Sequence, residues 1–342
     1  MFKRFFILFL AVLLLPSYNV KASYISAKAY AVIDSANRTL LDKKNINKKM
    51  PMASTTKIMT CLIACESKRL NETVTITPLM LDKTEGTLIN LKTGNRITLY
   101  DLVVGAMLAS GNDAANSIAV YLSGNINDFC DKMNMRAKEI GMYNTHFSTP
   151  SGLDEGSHYS TAYDMALLGA EACRNDVLMS ISKKKSALIT IDYTAYNVYN
   201  HNKLLKSDSN FIGLKTGYTS KAGRCLVSVY NYRGSKIICV TLNAQNDWND
   251  HKELIKKAKL NYKTYQSNEK CTLRTLEDGN KYLDCSYCFT VSALKTVWVK
   301  IYYYPIVYPP VRRGEVIGYV EIYSSDELIN KVDLISQENL NG

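Results

Sequence analysis

Ser54-Thr55-Thr56-Lys57 sets a hydroxyl and an amine three positions apart, a spacing at which two helical side chains share a face and meet. A serine hydroxyl becomes a useful nucleophile only when a neighbouring base takes its proton, and a lysine is such a base only where its surroundings keep it neutral. Burial and a second cation nearby both push an amine that way. The pattern by itself selects little, because Ser180 and Lys183, Ser182 and Lys185, Ser267 and Lys270, and Ser292 and Lys295 repeat it. Ser54 differs in opening an amphipathic segment, Ile58, Met59, Leu62, Ile63 and Cys65, so it falls at a helix N-terminus where backbone amides face incoming negative charge. The other four read as capping serines with solvated lysines.

Two more elements join it. Ser110-Gly111-Asn112 lies between helical segments, where a short loop can hold its side chains in a cleft. A copy, Ser123-Gly124-Asn125, follows a helix, and Gly124 there reads as its stop. Lys215-Thr216-Gly217 leads through Tyr218 to a strand from Gly223, along a sheet edge that can face the Ser54 helix. Lys92-Thr93-Gly94 competes, but a hairpin turn accounts for it and it precedes Ser110. S-x-x-K, S-x-N and K-T-G in this order, 56 and 105 residues apart, are jointly far more selective than any one match.

In Pro51-Met52-Ala53-Ser54-Thr55-Thr56-Lys57-Ile58-Met59-Thr60, Ser110-Gly111-Asn112-Asp113-Ala114-Ala115 and Gly213-Leu214-Lys215-Thr216-Gly217-Tyr218-Thr219, the chain resembles the low-molecular-weight penicillin-binding proteins, serine-type D-alanyl-D-alanine carboxypeptidases. His146 to Asp154 and Asn202-Lys203-Leu204-Leu205 also look like this family. The likeness runs from about Ala27 to Tyr262 and more loosely through the tail. It implies that Ser54 attacks the carbonyl between two D-alanines, Lys57 is general base, and Ser110 passes the proton to the leaving amine. By the same resemblance Asn112 holds the substrate backbone, Lys215 and Thr216 bind the terminal carboxylate, and the amides of Ser54 and Tyr218 form the oxyanion hole beside Gly217. Peptidoglycan stem peptides are the implied substrate and β-lactams the implied inhibitors, with no cofactor. Lys221-Ala222-Gly223-Arg224 departs from the pattern in being more basic than expected. Many relatives continue into a membrane-binding amphipathic helix, whereas only a short polar tail follows Ile335 here, so membrane association through that route is not expected.

The elements that must position these groups can be read coarsely. A strand from Lys28 to Asp34 and a second after Ser35-Ala36-Asn37-Arg38 form a hairpin. Helices are expected from Ser54 and over Asp101–Leu108, Asp113–Leu122, Ile126–Ile140 and Thr161–Cys173. Strands return at Ala187–Tyr193, Gly223–Tyr230 and Lys236–Ala244, the last two joined by a turn at Arg233-Gly234-Ser235, and a helix from Trp248 to about Tyr262 closes the unit. This order implies an α/β fold, an antiparallel sheet flanked by helices with an inserted helical subdomain, of the β-lactamase/transpeptidase kind. From residue 265, runs such as Thr296–Tyr304 and Glu315–Tyr323, broken by Asp278-Gly279-Asn280 and Pro309-Pro310, read as a small all-β domain.

Met1–Ala22 has Lys3 and Arg4, an apolar run from Phe5 to Leu15, and a small-residue end, the makings of a secretory signal peptide. The run is short of the ~20 residues that span a bilayer. The expected division is therefore 1–22 signal, 23–264 catalytic domain and 265–342 β-rich domain, in an exported protein acting at the wall or the outer face of the membrane. Removing Lys3, Arg4 and Lys21 from the formal charge of +11 leaves about +8, which suits acidic wall polymers or lipid head groups. The charges are scattered and no nucleic-acid-binding motif accompanies them.

Nine cysteines on a long chain do not make a disulfide scaffold, and Cys285-x-x-Cys288 lacks the second pair of a metal site. His146 and His158 invite a triad with Asp154 or Asp164, yet no G-x-S-x-G surrounds any serine, so they read as loop residues, and His201 and His251 have no metal spacing. Tyr302, Tyr303, Tyr304 and Tyr308 cluster, but strand alternation sends half of them to a core. Two rival functions stand beside the carboxypeptidase: a serine β-lactamase, with Glu155 in the stretch where a deacylating glutamate would fall, and a penicillin-binding sensor or wall-binding protein on an inert copy of the fold.

Overall fold

The computed structural model describes residues 24–274, 282–303, 310–324 and 326–340. The signal assigned to Met1–Ala22, the turn at Asp278-Gly279-Asn280, and Tyr304, Tyr308 and Pro309 lie outside the described residues.

The chain opens with β1 (Ala29–Asp34), β2 (Leu40–Lys44), α1 (Lys57–Glu66), β3 (Thr73–Thr75), α2 (Pro78–Leu81), β4 (Arg96–Thr98) and α3 (Leu99–Val104). Then come α4 (Asn112–Ser123), α5 (Ile126–Ile140), α6 (Ala162–Ala172), α7 (Asp176–Ser182), β5 (Ser186–Ile191), β6 (Thr194–Tyr199) and α8 (Leu204–Ser207). The motif-bearing part of the chain ends with β7 (Phe211–Thr219), β8 (Gly223–Tyr232), β9 (Ser235–Ala244) and α9 (Asp247–Lys259). The remainder is β10 (Lys263–Arg274), β11 (Tyr282–Ala293), β12 (Val297–Tyr303), β13 (Val316–Ser324) and β14 (Glu327–Ser336).

The principal sheet has five antiparallel strands in the order β2-β1-β9-β8-β7. Its three inner strands are apolar on both faces because both faces are covered. Val227, Val229, Ile238, Val240 and Leu242 join the core under α1 and α6, while Leu226, Tyr230, Ile237 and Cys239 pack beneath α9 against Leu254, Ile255 and Ala258. This is strand alternation with a helix layer on each side. Gly169 lets α6 lie close to the sheet, since a Cβ there would stand 2.7 Å from Ile238 Cγ2.

Local signals set the helix ends. Thr161 and Asn125 accept from the backbone N–H of Asp164 and Asp128 to cap α6 and α5, at 3.1 and 2.9 Å. Gly124 ends α4 at φ 83°, which accounts for the second Ser-Gly-Asn copy. Lys92-Thr93-Gly94 is likewise a turn, with Gly94 at φ 91° and its N–H on Ile76 O at 2.8 Å.

Two readings are corrected. The strand expected at Ala187–Tyr193 is not in the principal sheet. It ends at Ile191 and, with β6, builds a separate four-stranded sheet ordered β3-β4-β5-β6 over the helical layer. The helix expected over Asp101–Leu108 is α-helical only to Val104 and continues as a π-helical turn, Gly105–Ala109. The tail is all-β as expected, a second five-stranded sheet ordered β10-β11-β14-β13-β12. That sheet abuts the β8–β9 turn, where Ser292 N–H donates to Arg233 O at 3.0 Å and Ser235 Oγ to Ser292 O. Cys285 is buried and Cys288 exposed on β11, and all nine cysteines are free thiols. Tyr302 stacks on Tyr319 across β12 and β13. Among the described residues no helix is long and apolar enough to cross a membrane.

Candidate active site

Ser54 sits in a single 3₁₀ turn, Ala53–Thr56, that runs into α1. The turn is wedged between two backbones. A Cβ on Gly152 would fall 2.1 Å from Ala53 O, and one on Gly217 would fall 2.9 Å from Ser54 N, so loop 148–155 on one side and the edge strand β7 on the other approach as only glycine allows. Thr56 Oγ1 and His158 Nε2 are 2.8 Å apart, and Ser148 N–H donates to His158 Nδ1 at 3.0 Å, which leaves the proton of a neutral ring on Nε2. Burial lowers the pKa of His158 to about 3. It is thus a neutral tie between loop and helix.

Lys57 begins α1 and is fully buried. Its Nζ lies 3.0 Å from Ser54 Oγ, 2.6 Å from Asn112 Oδ1 and 2.6 Å from the Ser151 carbonyl. The last two partners only accept, so they take two N–H bonds. A neutral amine has two N–H bonds and one lone pair, and the lone pair is then left for the Ser54 hydroxyl. Burial, and next the charge of Lys215, hold the Lys57 amine well below the usual lysine range. Geometry and electrostatics therefore agree on a neutral Lys57 that accepts from Ser54.

Ser110 ends the π-helical turn in the left-handed region, φ 64°, a conformation rare for a residue with a side chain and frequent at functional sites. Asn112, the first residue of α4, gives Oδ1 to Lys57 and donates Nδ2–H to Glu85 O at 2.6 Å. Asp113, buried next to it, accepts from Ile89 N–H and Leu91 N–H, both at 3.0 Å, and so pins the segment that carries Glu85. Lys215 on β7 is buried, its Nζ donating to Thr216 O at 3.2 Å, and burial lowers its pKa to about 8.

Ser54, Ser110, Thr216, Gly217 and Tyr218 line one cleft of about 320 Å³, with Thr87, His201, Lys203, Arg224, Asp247 and Trp248. Lys57 and Asn112 are buried next to these residues, Lys57 through its contact with Ser54. Of the second group, sequence reasoning marked Lys203 as part of a family-like segment and Arg224 as unexpectedly basic, weighed His201 only as a metal ligand, and missed Thr87, Asp247 and Trp248 as site residues. Glu155 lies in a neighbouring groove of about 280 Å³ with Asp82, Lys83 and Asn116. His251, on the sheet-facing side of α9, is buried between Ser228 Oγ of β8 and Thr241 Oγ1 of β9, at 2.7 and 2.9 Å.

Residues 17–246 match the family model described as D-alanyl-D-alanine carboxypeptidase. The chain is 32% identical over 257 residues to the D-alanyl-D-alanine carboxypeptidase DacF of Bacillus subtilis, covering 71% of this chain and 64% of that one. It is 33% identical over 257 residues to DacC of Escherichia coli, covering 71% and 63%. The chain thus spans a little under two thirds of the length of these two relatives. Among solved structures, penicillin binding protein 5 from Haemophilus influenzae superposes with a TM-score of 0.66 at 25% identity, over 94% of this chain and 100% of that one. Penicillin-Binding Protein D2 from Listeria monocytogenes, in its cefotaxime-bound form, gives 0.62 at 29% identity, over 69% and 98%.

Proposed function

This chain belongs to the D-alanyl-D-alanine carboxypeptidase family, and from that premise we propose that it removes the terminal D-alanine of peptidoglycan stem peptides through an acyl-enzyme on Ser54. The observation that carries the reading is the Lys57 amine, buried, depressed in basicity and 3.0 Å from Ser54 Oγ with its other contacts on pure acceptors.

In the proposed reaction Lys57 takes the Ser54 proton as Oγ adds to the D-Ala-D-Ala carbonyl. The amides of Ser54 and Tyr218 hold the resulting oxyanion between the helix start and the β7 edge. Ser110 carries the proton to the leaving amine, the C–N bond breaks, and D-alanine departs. Lys57 then takes a proton from a water that adds to the ester carbonyl, the bond to Ser54 Oγ breaks, and the proton passes to that oxygen as the shortened peptide leaves. Asn112 orients Lys57 in the resting site and borders the substrate, and Thr216, with Gly217 beside it, offers a hydroxyl at the leaving-group end. Lys215 adds positive potential that favours both the terminal carboxylate and a neutral Lys57.

A β-lactam presents a strained amide and a carboxylate to the same groups and acylates Ser54, in keeping with the cefotaxime-bound relative. Glu155, the residue on which the β-lactamase reading leaned, faces another groove, which weighs against that alternative. The reading also takes residues 1–22 as an export signal, 23–264 as the catalytic domain and 265–342 as an accessory β domain, with the enzyme working outside the cytoplasmic membrane on the wall.

The test is to incubate the purified protein with a fluorescent penicillin and with a peptide ending in D-Ala-D-Ala. Lasting label together with D-alanine release supports the carboxypeptidase. Rapid drug consumption without lasting label indicates a β-lactamase, and label without peptide turnover a sensor. Ser54→Ala is expected to abolish labelling and release, and release that persists would remove the assigned nucleophile.

A further inference from the structure

The motif lysine is not the cation that a ligand in the cleft meets first. Lys215 is 1% exposed and its Nζ turns to a backbone carbonyl. Arg224 does reach the cleft. It stands on β8 directly across from Tyr218 of β7 and lines the same space as Ser54, Thr216 and Gly217. Its place is fixed from behind, since Nε and Nη2 lie 2.8 and 2.7 Å from Asp247 Oδ1 and the guanidinium carbon lies 5.5 Å from the Trp248 ring centroid. The Asp247 side chain is itself 3% exposed, and its Oδ1 also accepts Trp248 N–H at 3.0 Å. A guanidinium has five N–H bonds. Asp247 uses two, so Nη1 and part of Nη2 stay available on a side chain that is 42% exposed.

His201 and Lys203 line the cleft too, but they differ in kind. Burial, and next the charge of Lys215, lower the His201 pKa, which keeps the ring neutral near neutral pH. Lys203 takes part in no ion pair among the described residues, and ordering its flexible stem costs entropy that a braced arginine has already lost. A guanidinium is charged at every working pH and its planar fork fits a carboxylate.

We propose that Arg224, braced by Asp247 and Trp248, is the specificity-determining residue that binds the free C-terminal carboxylate of the substrate, with Lys215 acting behind it as an electrostatic neighbour of Lys57. This rests on the carboxypeptidase reading.

The experiment compares kcat/KM for one blocked peptide ending in D-Ala-D-Ala, supplied as the free acid and as its C-terminal amide. In Arg224→Gln the acid is expected to lose roughly 10- to 100-fold, the worth of a charged hydrogen bond, while the amide changes little. Arg224→Lys keeps the charge without the fork or the buried ion pair geometry, so it is expected to recover only part of the acid preference. Should melting curves show Arg224→Gln unfolded, the acid-to-amide ratio in Arg224→Lys decides, and a ratio equal to wild type overturns the proposal. Equal losses on both peptides also overturn it, as does loss of the acid preference in Lys203→Ala or His201→Ala with Arg224→Gln unaffected. A wild-type protein that takes no penicillin label at Ser54 and frees no D-alanine is a different result, which removes the carboxypeptidase reading and this one with it.

Discussion

Gly217→Ala tests the closeness of the Ser54 turn and the β7 edge. The added Cβ would stand 2.9 Å from Ser54 N, 3.0 Å from Thr55 N and 3.1 Å from Ala53 Cβ, about 0.5 Å inside ordinary contact at the tightest point. Two of those neighbours are backbone atoms at the start of a buried helix and cannot swing aside. β7, by contrast, is an edge strand, hydrogen-bonded only to β8 within its sheet. The strand should therefore retreat by about half an ångström and carry Thr216 and Tyr218 with it. A 1 Å misplacement can cost ~100-fold in rate, so half of that should cost on the order of 10-fold in acylation. Because Gly217 is not in the left-handed region, little stability should be lost, about 1 kcal/mol or less. Stopped-flow acylation by a fluorescent penicillin gives the rate, and a urea melt gives the stability. Wild-type acylation in a folded variant would refute the argument that this approach sets the oxyanion geometry, and a slow but badly destabilised variant would show that the turn, not the strand, had moved.

The other predictions follow from the site's charges and ties. Acylation should fall at low pH as Lys57 gains a proton and fall again as pH rises through about 8, where Lys215 loses its charge. In Lys215→Met the acid limb should move to higher pH, because the cation that opposes protonation of Lys57 is gone, and an unmoved limb would contradict the coupling. Asp113→Ala frees the N–H groups of Ile89 and Leu91 and should cost roughly 1–3 kcal/mol in a urea melt. It should also slow acylation, since the segment bearing Glu85 loosens its hold on Asn112. His158 and His251 are neutral when folded, each lowered from 6.5 to about 3. Their contribution is complete above pH 6.5 and is lost as pH falls towards 3, at about 1.4 kcal/mol per pH unit for each histidine. Replacing His251 by glutamine should flatten the slope of stability between pH 6 and 4, as followed by urea melts.

The motif groups were legible because each is a side chain with a spacing signature. The amphipathic segment after Ser54, the loop around Ser110 and, for Lys215, order along the chain separated them from their copies. The Ser151 carbonyl that holds Lys57 left no trace, since a backbone oxygen belongs to every residue. β6 was missed because Val198 alone of its six residues is buried, so no alternation shows. The β3-β4-β5-β6 sheet depends on Ile97 meeting Ile191, a pairing that nothing local announces. β10 is a polar segment whose long ladder with β11 supplies what its own pattern does not. Arg224 was visible only as a misplaced charge, and its brace from Asp247 and Trp248 needed the fold.

The place of β1 bears on how the polypeptide reaches its final state. Ala29 to Asp34 lie inside the principal sheet, yet one flank is completed by Ile237 to Leu242, some two hundred positions later. Until that late segment is available the first strand has only β2 beside it, and a lone hairpin is barely stable in water. Closure must therefore wait for nearly all of residues 29–244, a demand that slows assembly and keeps sticky intermediates exposed. Fragments ending before β9 should accumulate as aggregates or protease targets even though they already contain all the motif residues.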